Sequence, residues 1–196
     1  YRTSGEIIFK DNTKLELEDD FSWNGRYYVY GYGKFQGSRT QLESAITLAY
    51  DTYGTVVDSN SKLVWKRYRS TQASIDGIVP VTSGDSIVNA VAAVSNYLGA
   101  DFNAVSYMEQ GHTAVETFDN ISGVHGISLT GITYEKALSY VGDGSPVIAR
   151  IGEDEYIIIT AYNSSEIAYI EASTGAQKTV SMNDAGKMFS QGGNIY

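Results

Sequence analysis

Residues 85–98, DSIVNAVAAVSNYL, are the stretch that most constrains how this chain can fold. The run is apolar on nearly every side of a helical wheel, so a helix made from it must be buried over most of its surface. Asp85 is placed to cap its start and Gly99 to stop it. Four segments of strand length follow, at 146–151 (PVIARI), 155–162 (EYIIITAY), 166–171 (EIAYIE) and 177–180 (QKTV). Shorter helices are expected at 113–119 and 133–141. A last helix opens on Ser181 and Asp184 in capping-box spacing, runs through Met188 and Phe189, and stops at Gly192–Gly193. One buried helix followed by an antiparallel sheet predicts an α+β architecture.

The front of the chain is patterned differently. Residues 4–9 (SGEIIF), 14–18 (KLELE) and 26–32 (RYYVYGY) read as short strands divided by Asp, Asn and Gly turns. A helix follows, with Thr40 and Glu43 in capping-box spacing, Leu42, Ala45, Ile46, Ala49 and Tyr50 at helical spacing, and Gly54 to end it. Segments 55–58 and 62–68 then flank Ser59, Asn60 and Ser61 as a hairpin. Residues 70–84 are polar and loop-like, which sets the expected division at 1–75, a β-rich region with one helix, and 76–196, an α+β domain.

Composition closes off several functions. Acidic residues outnumber basic ones by 23 to 14, for a formal net charge of −9. Lys and Arg are what displace phosphate counterions, so this balance argues against nucleic acid and against an anionic membrane surface as partners. With no cysteine in the chain, disulfides, thiolate metal sites and a cysteine nucleophile are excluded. No stretch approaches the roughly 20 apolar residues needed to span a bilayer. The content of Tyr (16) and Gly (20) beside only 2 Pro, with many Ser, Thr and Asn, suits wet, adaptable contacts. It points to an extracytoplasmic bacterial protein, secreted or on the cell surface. The chain opens on Tyr1 and not on Met, so a signal or anchor is expected to lie outside it.

Three stretches carry a family likeness: LTGITYEKALSYVGDGSPVIAR from Leu129, EYIIITAYNSSEIAYIEASTG from Glu155, and VSMNDAGKMFSQGGNIY from Val180. In order and spacing they resemble the papain-like cysteine peptidases of the bacteriocin-processing, double-glycine type, and in particular extracytoplasmic relatives from Gram-positive gut bacteria. The YVYGYGKF, SAITLAYDTYGTVVD and LVWKRY segments resemble, more weakly, the region preceding that domain in the same relatives. The resemblance implies a papain-like fold in which a buried helix packs on an antiparallel sheet. It also implies a nucleophile at the start of that helix, an imidazole to move the proton, an acid to orient the imidazole, and an upstream donor for the oxyanion.

Carried onto this sequence, the nucleophile position falls on Ala90, the upstream donor on Gly84, the imidazole on Glu155 and the orienting acid on Glu171. Ala90 has no attacking group, Gly84 offers only backbone, and Glu155 beside Glu171 would be two like charges. The resemblance therefore implies a degenerate peptidase, not an enzyme, with no cofactor or metal. Natural decay explains the set better than a deliberate inactivating change, since three different groups are lost together.

Other candidate chemistry has a plainer reading beside it. His112 and His125 are the only imidazoles, and neither has a ligand-spaced partner, so both read as surface or turn histidines. Glu153-Asp154-Glu155, with Glu171 nearby, would supply carboxylates for glycoside hydrolysis or oxygens for calcium, but the run sits at a hairpin turn where solvated charge is ordinary. Gly142-Asp143-Gly144 lacks the ending and following helix of a phosphate loop and reads as a turn. Of the tyrosines at 27, 28, 30 and 32, the last three share one strand face and are expected to pack into a core, with stacking on sugar or peptide as the alternative; Trp65 is expected in the core too.

Three functional classes stay open: a non-catalytic domain that binds peptide or protein, a hydrolase (peptidase or glycosidase) using other residues, and a structural spacer. If a cleft survives beside Ala90, Glu155 and Glu171 would give it negative potential suited to a basic segment. A cleft filled by the protein's own side chains would point to the spacer.

Overall fold

A computed structural model describes residues 26–67 and 71–196 in full, together with the backbone of two short strands at 6–8 and 14–16. The chain divides into two units, Tyr1–Tyr68 and Arg69–Tyr196.

In the first unit, strands β1 (Glu6–Ile8) and β2 (Lys14–Glu16) pair antiparallel, with Ile7 opposite Leu15. Residues 4, 5, 9, 17 and 18 of the strands expected there lie outside the described residues. Strands β3 (Tyr27–Gly31) and β4 (Lys34–Arg39), helix α1 (Leu42–Asp51), and strands β5 (Thr55–Asp58) and β6 (Leu63–Lys66) come next. The four strands form an antiparallel sheet in the order β4-β3-β5-β6. Ala45, Ile46 and Ala49, at three- and four-residue spacing, are the buried stripe of α1. The expected Thr40–Glu43 capping box is absent: the helix is capped at Gln41, without a side-chain bond, so Glu43 falls one position too early to reach back. Tyr28, Val29, Tyr30 and Trp65 are all buried, so β3 is covered on both faces. Tyr32, expected on the same buried face as Tyr28 and Tyr30, lies beyond the strand end and is exposed.

The second unit holds strand β7 (Ala73–Ser74), helices α2 (Ser86–Tyr97), α3 (Ala104–Glu109), α4 (Ala114–Asp119) and α5 (Tyr134–Gly142), strands β8 (Val147–Arg150), β9 (Tyr156–Tyr162), β10 (Glu166–Glu171) and β11 (Gln177–Ser181), and helix α6 (Met182–Gln191). The architecture is α+β. Its antiparallel sheet runs β11-β10-β9, and one edge of β9 is shared by two strands: β8 pairs with Tyr156–Ile159 and β7 with Ala161–Tyr162. The division at 75/76 expected from sequence is therefore too late. Ala73 and Ser74 pair with β9, and the Ile75 N–H donates to the Thr160 carbonyl at 2.7 Å, so these residues belong to the second unit.

Helix α2 meets the demand its sequence makes. Asn89 through Ser95 are buried without interruption, and the helix lies against β9, whose Ile157, Ile158 and Ile159 are buried on both faces of the sheet. Burial of each such isoleucine contributes about 2 kcal/mol. Gly99 follows at φ +82°, the left-handed stop that its position predicts. Helix α4 carries a capping box between Thr113 and Glu116. On α6 the Asp184 N–H donates to Ser181 Oγ at 3.2 Å, and that hydroxyl donates to the Asp184 carboxylate at 2.8 Å. Below α6, Phe189 is fully buried between the rings of Tyr134 and Tyr196, at 5.7 and 5.6 Å.

Candidate functional site

The first turn of α2 meets the start of β9 and the end of β10, next in the chain to Gly84, Glu155 and Glu171. Ser86 is the first residue of the helix. Its hydroxyl accepts the Tyr156 N–H at 2.8 Å and donates to the Tyr156 carbonyl at 3.3 Å. That same carbonyl accepts the Ala172 N–H at 3.0 Å. Tyr156 directly follows Glu155, and Ala172 directly follows Glu171.

One turn further along, Asn89 is only 1% exposed. Its side-chain oxygen accepts the Gly84 N–H at 2.8 Å, and its amide donates to the carbonyls of Gly84 at 2.8 Å and Ala172 at 3.1 Å. A buried amide with three good partners costs little to bury and fixes all of them in place. Here it ties the loop before α2 to the chain leaving β10.

Ala90 is fully buried in the second turn of α2. It thus lies in the N-terminal half of the buried helix, as expected, and the first helical residue, after the cap at Asp85, is Ser86. A serine nucleophile needs a base within hydrogen-bond reach. The Ser86 hydroxyl is instead engaged with backbone on both sides, and both histidines are engaged elsewhere. His112 stacks on Tyr107 with ring centroids 3.9 Å apart, and His125 Nδ1 lies 2.7 Å from the Asp119 carboxylate, which also accepts the Gly126 N–H.

Glu155 and Glu171 are not a bare pair of like charges. The Glu171 carboxylate takes the Lys178 ammonium at 2.7 Å and the Thr174 hydroxyl at 2.6 Å. The hydrogen bond from Lys178 is the largest influence holding the Glu171 carboxyl below its ordinary value of 4.5, and the Lys178 ammonium is raised in turn, first by Glu171 and to a lesser degree by the charge of Glu155. The wall expected to be negative is thus a mixed-charge cluster. Glu171 contributes to stability fully above 4.5, and this contribution fades as pH falls through the lowered folded value. Replacing Lys178 with Ala should return the Glu171 titration, followed by carboxyl carbon NMR, toward 4.5. An unchanged titration would show that Thr174 holds the carboxylate without the ammonium.

The remaining candidates keep their plain readings. Glu153, Asp154 and Glu155 are exposed in the β8–β9 turn, and Gly142-Asp143-Gly144 closes α5 and turns into β8, with Gly144 at φ +85°. Among the described residues no group of three or more His, Asp or Glu side chains is gathered as a metal site, and no helix is long and apolar enough to cross a membrane. Two of the surface depressions among the described residues lie in this unit. One, of about 450 Å³, lies between residues 74–78 and strands β9, β10 and β11; the other, of about 520 Å³, lies beside the end of α2 and residues 101–105. Neither is lined by Gly84, Ala90, Glu155 or Glu171. In comparisons with known proteins, no family model, curated protein or solved structure matches the chain.

Proposed function

We propose that Arg69–Tyr196 is a papain-like domain that has lost its chemistry and serves as a scaffold module of an extracytoplasmic bacterial protein. The observation that carries this reading is the side chain of Asn89. It lies at the junction of α2 with the chain leaving β10, where the family likeness would place a cleft, and its oxygen and both amide N–H groups are engaged by Gly84 and Ala172. The order of elements supports the family assignment: a buried helix, then antiparallel strands of which β9 meets the helix start with its first residue, then a capped terminal helix. Cohesion is what this arrangement supplies. Ser86 latches α2 to β9, Asn89 latches it to the chain leaving β10, and Lys178 balances the acids outside.

Incubation with unfolded proteins and peptide libraries should leave substrates intact by mass spectrometry. Neither thiol-alkylating nor serine-directed fluorophosphonate reagents should add mass to the protein. Reproducible cleavage that disappears in Ser86→Ala or Glu155→Gln would overturn the scaffold reading in favour of a hydrolase.

A further inference from the structure

Two exposed tyrosines of the first unit occupy backbone positions that tyrosine disfavours. Tyr32 and Gly33 are the central residues of the β3–β4 turn, at φ +52° and +75°. This is the type I′ pattern, which Asn-Gly fills with least strain. Tyr53 follows the end of α1 at φ +53°, a left-handed position normally given to Gly or Asn. A bulky residue at positive φ is a genuine outlier, and strain of this kind clusters where function requires it.

Both strained residues present their rings to solvent, side by side. Tyr32 is 67% and Tyr53 54% exposed, with ring centroids 6.2 Å apart. Two glycines allow this, because a Cβ on Gly31 would overlap Thr52 and one on Gly54 would overlap the Tyr30 carbonyl. The two turns touch, each with a tyrosine at its tip. The Tyr53 ring is fixed from behind by the Arg67 guanidinium, 3.9 Å from its centroid and 4.0 Å from that of Tyr50. Arg67 is itself held by the Tyr50 and Gly54 carbonyls. The Tyr32 hydroxyl donates to the Asp51 carbonyl at 3.3 Å.

We propose that Tyr32 and Tyr53 form a stacking platform for a neutral carbohydrate. The electron-rich face of an aromatic ring attracts the weakly positive C–H face of a pyranose. Rings already fixed lose little freedom on binding. Arg67 behind Tyr53 disfavours a cationic ligand, and the net charge of −9 disfavours a polyanion. A protein partner would need about 800 Å² of surface with an apolar centre. Here the neighbours in sequence, Gly33, Lys34 and Asp51, are exposed and two of them are charged, so the chain flanking the rings is polar. Lys34 and Asp51, the charged residues nearest in the chain, offer an exposed donor and an exposed acceptor for sugar hydroxyls.

The test is affinity electrophoresis of the full chain through native gels that each contain one neutral polysaccharide: a soluble β-glucan, an arabinoxylan, a galactomannan or glycogen. The parent is retarded in at least one gel. Tyr32→Asn and Tyr53→Asn each weaken that retention about tenfold. Because Asn relieves the left-handed turn, Tyr32→Asn also melts at the parent's temperature or above it. Retardation unchanged in both variants overturns the proposal, as does a parent retarded in none of the gels, including one that captures only a protein. A lower melting temperature for Tyr32→Asn overturns the strain argument on which the platform rests.

Discussion

Asn89→Ala should lower the melting temperature of the Arg69–Tyr196 unit by about 10 °C. The substitution removes three hydrogen bonds from a residue that is 1% exposed. It leaves the Ala172 carbonyl without its side-chain donor in a buried setting, for a loss of about 3 kcal/mol. Asn89→Asp should cost at least as much near neutral pH, since a carboxylate cannot donate to the two carbonyls and is buried with its charge. That penalty is greatest at high pH and eases as pH falls, because a protonated carboxyl recovers a donor. Calorimetry of the full chain separates this transition from that of the first unit. A shift of only a degree or two would mean that water substitutes for the amide, and the junction would then be an open cleft after all.

Gly192→Ala should destabilise the same unit by about 3 kcal/mol, against the expectation from helix propensity. Gly192 has ordinary right-handed dihedrals, φ −72° and ψ −2°, where alanine would normally be favoured. The cost is steric, since an added Cβ would overlap the carbonyl of Arg150. The contact is fixed from both sides: Arg150 Nε donates to the Gly192 carbonyl at 2.9 Å, and the Arg150 N–H donates to the Ile195 carbonyl at 2.9 Å. Gly193→Ala should be milder, about 1 kcal/mol, because its φ of +80° strains alanine while its nearest outside neighbour is the movable end of the Arg150 side chain. Denaturant midpoints of the two variants decide the matter. If Gly192→Ala proves neutral, α6 is free to move away from β8 and the end of the chain is not clamped.

Elements that carry their own periodicity were legible in the sequence. The all-round apolar run of α2, the four later strands, and the Ser181 cap of α6 each depend on neighbours in the chain, and the structure has them at the expected residues within one or two positions. What depends on distant partners was not legible. Strand β7 is two residues long and exists only because β9 offers a free edge. Strand β4, KFQGSR, has one large apolar residue and a glycine, and it is a strand because β3 pairs with it. Helix α3 is a single capped turn and a half.

At the candidate site the partners of Glu171 depend on strand register. Lys178 reaches Glu171 because the turn after β10 places Lys178 opposite Tyr169, on the face that Glu171 shares. No count along the sequence reveals that turn. The sequence around Ser86 does not mark its role, because its partner, the backbone of Tyr156, lies 70 positions away.

The latches on α2 also bear on the order in which the chain acquires its structure. Ser86 must wait for Tyr156, 70 positions on, and Asn89 for Ala172, 83 positions on. In the first unit, by contrast, β3 with β4 and β5 with β6 are joined by tight turns and need only adjacent chain. Contacts between distant positions form slowly, and a chain leaving the ribosome completes its early segments first. During synthesis α2 therefore has only α3 and α4 to pack on until β9 and β10 have emerged, and through that interval its apolar sheet-facing side is open to aggregation and to chaperones.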